Sequence, residues 1–160
     1  RLNDNWVELH KSYEDFIHTE IVSLFNEKFH YQYLPNFRIH LPYNNQAIHT
    51  WHSDSDQLHK HPKGEINIWV PLTKCYGTNT MWIESEPWKL DFKPLEGGHG
   101  DFWINNGNVC IHGNKPNSTN ITRISFDFRI IPLSKYDPNF EESSNTSTKK
   151  FIVGGYYKEL

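Results

Sequence analysis

Apolar residues recur at three- and four-residue steps through Trp6, Leu9, Tyr13, Phe16, Ile17, Ile21, Leu24 and Phe25. That spacing gathers them on one stripe and predicts a single amphipathic helix over residues 5–29. Past Pro35 the period drops to two. Residues 37–41, 66–70, 81–83, 90–92 and 121–131 alternate apolar and polar positions, as strands with one buried face do. Turn-forming clusters at 42–45, 62–64, 77–79, 96–100, 105–108 and 113–120 separate these runs. One helix followed by many short strands predicts a mainly β chain, a sandwich or barrel with the helix packed outside. The β core is placed at 37–131, within a single domain of residues 1–140. The polar stretch 141–150 (EESSNTSTKK) reads as a mobile loop. The apolar FIVGGYY inside the tail segment 151–160 then needs cover. An edge strand, a cap on a pocket and a crossing to another chain all satisfy it.

Composition narrows the picture. A chain of 160 residues suits one domain, and although only 36% is hydrophobic, 15% is aromatic. Each buried ring removes about 150–250 Å² from water, so a core of few, large side chains is sufficient. A formal charge of −3 gives no basic footprint for nucleic acid, and the apolar runs are too short to span a membrane. Cys75 and Cys110 are too few for a disulfide framework or a thiolate metal site; they read as reduced thiols of a cytoplasmic protein.

The candidate chemistry concentrates in residues 49–61, HTWHSDSDQLHKH, with four histidines and two aspartates. His52 and Asp54 lie two apart, and on a strand such residues share a face about 6.5–7 Å apart. An imidazole and a carboxylate so placed can converge on one ion and supply two ligands of a two-histidine, one-carboxylate triad. His112, in Cys110-Ile111-His112-Gly113, is the candidate third ligand from another strand. Eleven residues on, Arg123, Ser125, Asp127 and Arg129 alternate with Ile124, Phe126, Phe128 and Ile130. The polar face either meets water or lines a polar cavity. Arg123 with Ser125 would there form a carboxylate receptor, a guanidinium fork beside a hydroxyl. A second H-x-D pair, His99 and Asp101, sits in a glycine-rich turn and reads as loop, with a ligand role there as the rival reading. His59 and His61 read as solvated loop residues at a pocket mouth. Most of the six tryptophans read as core.

The H-x-D pair, the distal histidine and the R-x-S eleven residues beyond it resemble the Fe(II)/2-oxoglutarate-dependent dioxygenase superfamily, whose fold is the double-stranded β-helix (jelly roll, cupin-like). The runs GEINIWVPLT, GTNTMWIESEP and CIHGNKPNSTNITRISFDFR are similar to its phytanoyl-CoA dioxygenase-like group, especially streptomycin-biosynthesis-type oxygenases. The resemblance spans residues 37–131. It implies that His52, Asp54 and His112 bind Fe(II), and that Arg123 and Ser125 hold the distal carboxylate of 2-oxoglutarate. O₂ is the second cosubstrate, and a small molecule is hydroxylated with release of succinate and CO₂. Asn67 and Thr80, on strands flanking the metal, are then placed to hydrogen-bond the cosubstrate or the substrate. Related halogenases replace the carboxylate ligand by a small residue, so Asp54 argues for hydroxylation or another oxidation. Two other readings stay open: a cupin-like metal enzyme that uses no 2-oxo acid, and a non-catalytic jelly-roll carbohydrate-binding module that uses its tryptophans.

Overall fold

The computed structural model describes residues 4–44, 50–143 and 150–160; His49 and residues 144–149 of the expected loop fall outside them. Helix α1 (Asp4–Phe16) runs on through a π turn (Ile17–Ile21) and a 3-10 turn (Val22–Leu24). Tyr13, Ile17 and Ile21 of the apolar stripe are buried, whereas Leu9 and Leu24 are exposed. The helical path therefore stops at Leu24, not at residue 29, and Phe25 is already extended. Two causes act together. Thr19 and Ser23 turn their hydroxyls onto the carbonyls of Asp15 and Glu20, competing with the helical ladder. Beyond them, β1 (Phe29–Gln32) gains more by pairing with a long strand, which buries all four of its residues.

The remaining strands are β2 (Asn36–His40), β3 (Ile66–Pro71), β4 (Met81–Ile83), β5 (Lys93–Pro94), β6 (Trp103–Asn105), β7 (His112–Asn114), β8 (Arg123–Pro132) and β9 (Tyr157–Glu159). They form two antiparallel sheets. The larger has the order β6-β3-β8-β1-β9, and β2 also pairs with β8; the smaller is β5-β4-β7. One edge of β8 lies along β3, while its other edge is shared between β2, opposite residues 123–127, and β1, opposite residues 130–132. The β core therefore starts at Phe29, not residue 37, and includes the tail. Residues 90–92 are not a strand, because Leu90 has a left-handed backbone (φ 56°) that breaks a ladder; only Lys93–Pro94 pairs with β4.

The two faces of β8 have different tasks. Phe126, Phe128 and Ile130 face α1, where Tyr13 meets Phe128 edge-on at 5.1 Å and Phe126 at 6.2 Å, over a cluster with Ile17, Ile21, Phe29, Tyr31, Ile68 and Val70. Each such side chain contributes about 1.5–3 kcal/mol by leaving water. Arg123, Ser125, Asp127 and Arg129 point the other way and are buried as well, and Arg123, Asp127 and Arg129 line a cavity. The tail docks as an edge strand: β9 pairs with β1, and Phe151 and Tyr157 pack on Ile131. Of the six tryptophans only Trp69 is fully buried, and Trp88 is 81% exposed, so the core relies on phenylalanine, tyrosine and isoleucine instead. Both cysteines are buried free thiols. Among the described residues no helix is long and apolar enough to cross a membrane.

Candidate metal centre

His112 opens β7 and pairs with Ile83 on one side and, through a single bridge, with His52 on the other. The chain then leaves the sheet. The amides of Asp54 and Ser55 donate to the carbonyls of Gly107 and Asn108, so Asp54 sits in a turn rather than on a strand. Its carboxylate still reaches the two imidazoles: Asp54 Oδ1 is 3.6 Å from His52 Nε2 and 3.6 Å from His112 Nε2. One ligand atom from each of the three residues lies within 4.8 Å of the others.

The surroundings leave these three atoms uncommitted. His52 Nδ1 lies 2.6 Å from the Thr50 carbonyl and His112 Nδ1 3.1 Å from the Cys110 carbonyl. A carbonyl only accepts, so Nδ1 carries the hydrogen in both rings and Nε2 presents its lone pair. Asp54 Oδ2 accepts from Asn67 Nδ2 (2.6 Å) and from Arg129 Nε (2.9 Å), with Arg129 Nη2 at ion-pair distance (2.9 Å), which leaves Oδ1 as the free oxygen. Burial alone would push the Asp54 carboxyl up, but Arg129 and the imidazoles hold it well below the usual carboxylate range. Burial pushes His112 down and keeps it neutral. His52 is raised, because Asp54 and the Thr50 carbonyl outweigh its burial. Two imidazole nitrogens and one carboxylate oxygen, oriented from behind, are the donor set of a divalent-metal site once His52 is deprotonated.

Close approach is built into the backbone here. A Cβ on Gly107 would lie 2.9 Å from Asn67 Nδ2 and 3.1 Å from His112 Cε1, and one on Gly113 would strike the Trp51 indole at 2.8 Å.

The centre opens on a cavity with about 530 Å³ of atom-free space, its mouth included. His52, Asn67, His112, Asn114, Arg123 and Arg129 are among its walls. Arg123 Nη1 donates to Asn114 Oδ1 at 2.5 Å, while its Nε and the Ser125 hydroxyl are buried without partners. Among the described residues no carboxylate lies within ion-pair distance of Arg123. Burial lowers its pKa to about 10, so it stays charged at neutral pH. Asn67 Oδ1 is likewise unpartnered. Thr80 is not brought to the cavity: it is buried with its hydroxyl donated to the Leu95 carbonyl.

Several neighbours depart from what the sequence suggested. His59 is stacked on His52 (4.0 Å between centroids) and held by Asp56, and His61 is held by the buried Glu65 at 2.7 Å; both lie in loops as expected, but half-buried and paired with a carboxylate instead of solvated. His99 and Asp101 are exposed, and Asp101 accepts from the Gly98 amide, as a turn aspartate does. A pairing of Arg129 with Asp127 is one of two readings the sequence allows; what sequence reasoning missed is that this pair supports Asp54. Arg129 bridges Asp54 and Asp127, and Asp127 is gripped in turn by Arg38 Nε (2.9 Å) and Asn36 Nδ2 (3.1 Å). The signal available was the i, i+2 alternation of Arg123, Ser125, Asp127 and Arg129, which marks a shared face but not a partner on another loop.

No family model matches the chain. Over 126 residues it is 39% identical to the streptomycin biosynthesis protein StrG of Streptomyces griseus, a match covering 79% of this chain and 58% of StrG. The chain thus spans less than two thirds of that relative's length. Among solved structures it is similar to the non-heme monooxygenase ThoJ. The apo form matches with a TM-score of 0.56 at 19% identity, over 76% of this chain and 55% of ThoJ. The nickel complex matches with a TM-score of 0.53 at 20% identity, over 70% and 48%. At these identities the likeness is one of fold: the chain has the β architecture of a non-heme oxygenase, with a His-Asp-His cluster that could hold a metal.

Proposed function

We propose that this chain is an Fe(II)- and 2-oxoglutarate-dependent oxygenase that hydroxylates a small molecule, on a double-stranded β-helix (jelly-roll) scaffold. The strand order supports that scaffold. With the His52 bridge counted as a short strand, the smaller sheet runs His52-β7-β4-β5 and faces β2-β8-β3-β6, the interleaving of two Greek keys.

The observation that carries the reading is one cavity with two unmet demands: three lone-pair donors aimed together and a buried guanidinium lacking a carboxylate. A 2-oxo diacid answers both, through its 2-oxo acid end at the metal and its far carboxylate at Arg123 and Ser125. His52, Asp54 and His112 would hold Fe(II), whose chemistry couples oxidation of 2-oxoglutarate by O₂, to succinate and CO₂, to hydroxylation of a substrate C–H bond. The protein's own residues prepare that reaction. Arg129 and Asn67 keep Asp54 anionic and direct Oδ1 toward the imidazoles, and the two backbone carbonyls fix the histidine tautomers. Asn67 Oδ1, buried without a partner, would accept from a donor group of the substrate, whereas the Thr80 hydroxyl is already taken by Leu95. The relative named for streptomycin biosynthesis and the fold shared with a monooxygenase agree with this reading. A metal enzyme without a 2-oxo acid would leave Arg123 and Ser125 unexplained, and a carbohydrate-binding module would leave the metal-type cluster unexplained.

The test is succinate release. Protein given Fe(II), 2-oxoglutarate and ascorbate in air should release succinate even without substrate, and His112→Ala and Arg123→Ala should reduce that release to background. Succinate at background in the parent, or unchanged in both variants, would overturn the proposal.

A further inference from the structure

A polar atom buried without a partner is costly to the apo protein, so a group of them marks where a ligand belongs. Arg123 Nε, Ser125 Oγ and both ring nitrogens of His40 are such atoms. They lie together by register. His40 is directly opposite Arg123 in the β2–β8 ladder, and Ser125 is two positions further along the same inward face of β8. His40 is fully buried, 0% exposed. Its backbone is fixed, since its carbonyl accepts from Asn117 Nδ2 at 3.2 Å, while the ring has the Asn79 backbone nearby but no partner at full hydrogen-bond geometry. Packing does not ask for an imidazole here: leucine or phenylalanine would fill the space without unmet polar atoms.

We propose that His40 is a further ligand-binding residue, a neutral N–H donor that joins Arg123 and Ser125 in holding the far carboxylate of the bound 2-oxo diacid. The inference rests on the cosubstrate reading above and adds a residue that sets specificity for chain length. Burial first and then the adjacent Arg123 charge push His40 below the usual histidine range, outweighing the Asn79 backbone, so at neutral pH it brings a hydrogen but no second positive charge. A carboxylate has about four lone-pair sites and can accept from a guanidinium, a hydroxyl and an imidazole together. A two-carbon 2-oxo acid such as glyoxylate has no second carboxylate to place there, so His40 should matter for 2-oxoglutarate and not for glyoxylate.

Anaerobic calorimetry on the Fe(II)-loaded chain tests this, with 2-oxoglutarate and glyoxylate as probes and the parent, His40→Phe and His40→Gln as proteins. His40→Phe should bind 2-oxoglutarate about 10- to 100-fold more weakly, the loss of one hydrogen bond to a charged group, with glyoxylate affinity held within about twofold. His40→Gln keeps an N–H donor and should recover most of the lost affinity. Parent-like binding of 2-oxoglutarate by His40→Phe removes this inference alone, as does an equal loss of both acids in both variants, which would mark a structural role. A parent that binds neither acid removes the cosubstrate reading and this inference together.

Discussion

Arg129→Met is the sharpest probe of the support behind the candidate metal centre. Methionine keeps much of the side-chain volume but deletes the contacts of Nε and Nη2 with Asp54 Oδ2, both 2.9 Å, and of Nη1 with Asp127 Oδ2, 2.6 Å. Asp127 would retain Arg38 and Asn36, whereas the Asp54 side chain would keep Asn67 as its hydrogen-bond donor. The loss therefore falls mainly on Asp54, which is 1% exposed. Removing one partner of a buried ion pair costs about 3–5 kcal/mol, a large part of the roughly 5–15 kcal/mol that holds a domain folded. In urea the midpoint should fall accordingly with the slope unchanged. Burial, the strongest influence on Asp54, raises its pKa once the guanidinium is gone. A proton then competes with metal at Oδ1, so the variant's metal affinity should fall more steeply with decreasing pH than the parent's. Adding Asp54→Asn removes the unpaired charge and should restore at least half of the lost stability, yet not metal binding. If Arg129→Met stays within about 1 kcal/mol of the parent and binds metal as tightly, this ion pair is not what positions the carboxylate.

Further outcomes follow from the same contacts. Asp127 is held at about 2 in the fold, burial being outweighed by Arg38 and Arg129. An unfolded aspartate titrates near 3.9, so Asp127 contributes about 2 kcal/mol above pH ~4 that is lost as pH falls toward 2; acid titration of Asp127→Asn should show a shallower decline than the parent. Metal affinity, measured by calorimetry from pH 8 downward, should weaken as the pH enters the histidine range, first through His52, whose pKa is raised, while His112 stays neutral to lower pH. Affinity that is flat across that range would exclude a two-histidine site. Gly113→Ala should destabilise by about 1–3 kcal/mol, since its Cβ meets the Trp51 indole; an unchanged melting curve would mean that the indole moves freely. Tyr157→Phe removes a buried donor to Glu65 and should cost about 1–3 kcal/mol; no loss would mean that Glu65 finds another partner.

What the chain disclosed depended on the range of each signal. The alternation of β8 is local, so its two faces were legible, and with them the placing of Arg123 and Ser125 together. The i, i+2 spacing of His52 and Asp54 was informative although its stated reason did not hold, since Asp54 leaves the sheet and converges through the Gly107 and Asn108 carbonyls instead. The helix end was misplaced because Phe25 and Phe29 continue the apolar period, while what ends the helix is a ladder with residues a hundred positions away. β1 (Phe29-His30-Tyr31-Gln32) alternates over four residues only, too short a run to stand out where Phe29 also continues the helical period. All four are buried, Phe29 and Tyr31 in the cluster with Tyr13 and Ile17, and His30 against Tyr136. Thr80 shows the converse limit: a hydroxyl on a promising strand is taken by Leu95, a partner fifteen residues on.

The central claim is that one cavity binds a metal through His52, Asp54 and His112 and a 2-oxo diacid between that metal and Arg123. Anaerobic titration of 2-oxoglutarate into the chain, with and without one equivalent of Fe(II), tests it most directly. The account predicts one 2-oxoglutarate per chain, bound at least about tenfold more tightly when iron is present, because both ends are then held. Equal affinity with and without iron, or iron that binds as well to His112→Ala as to the parent, would contradict it.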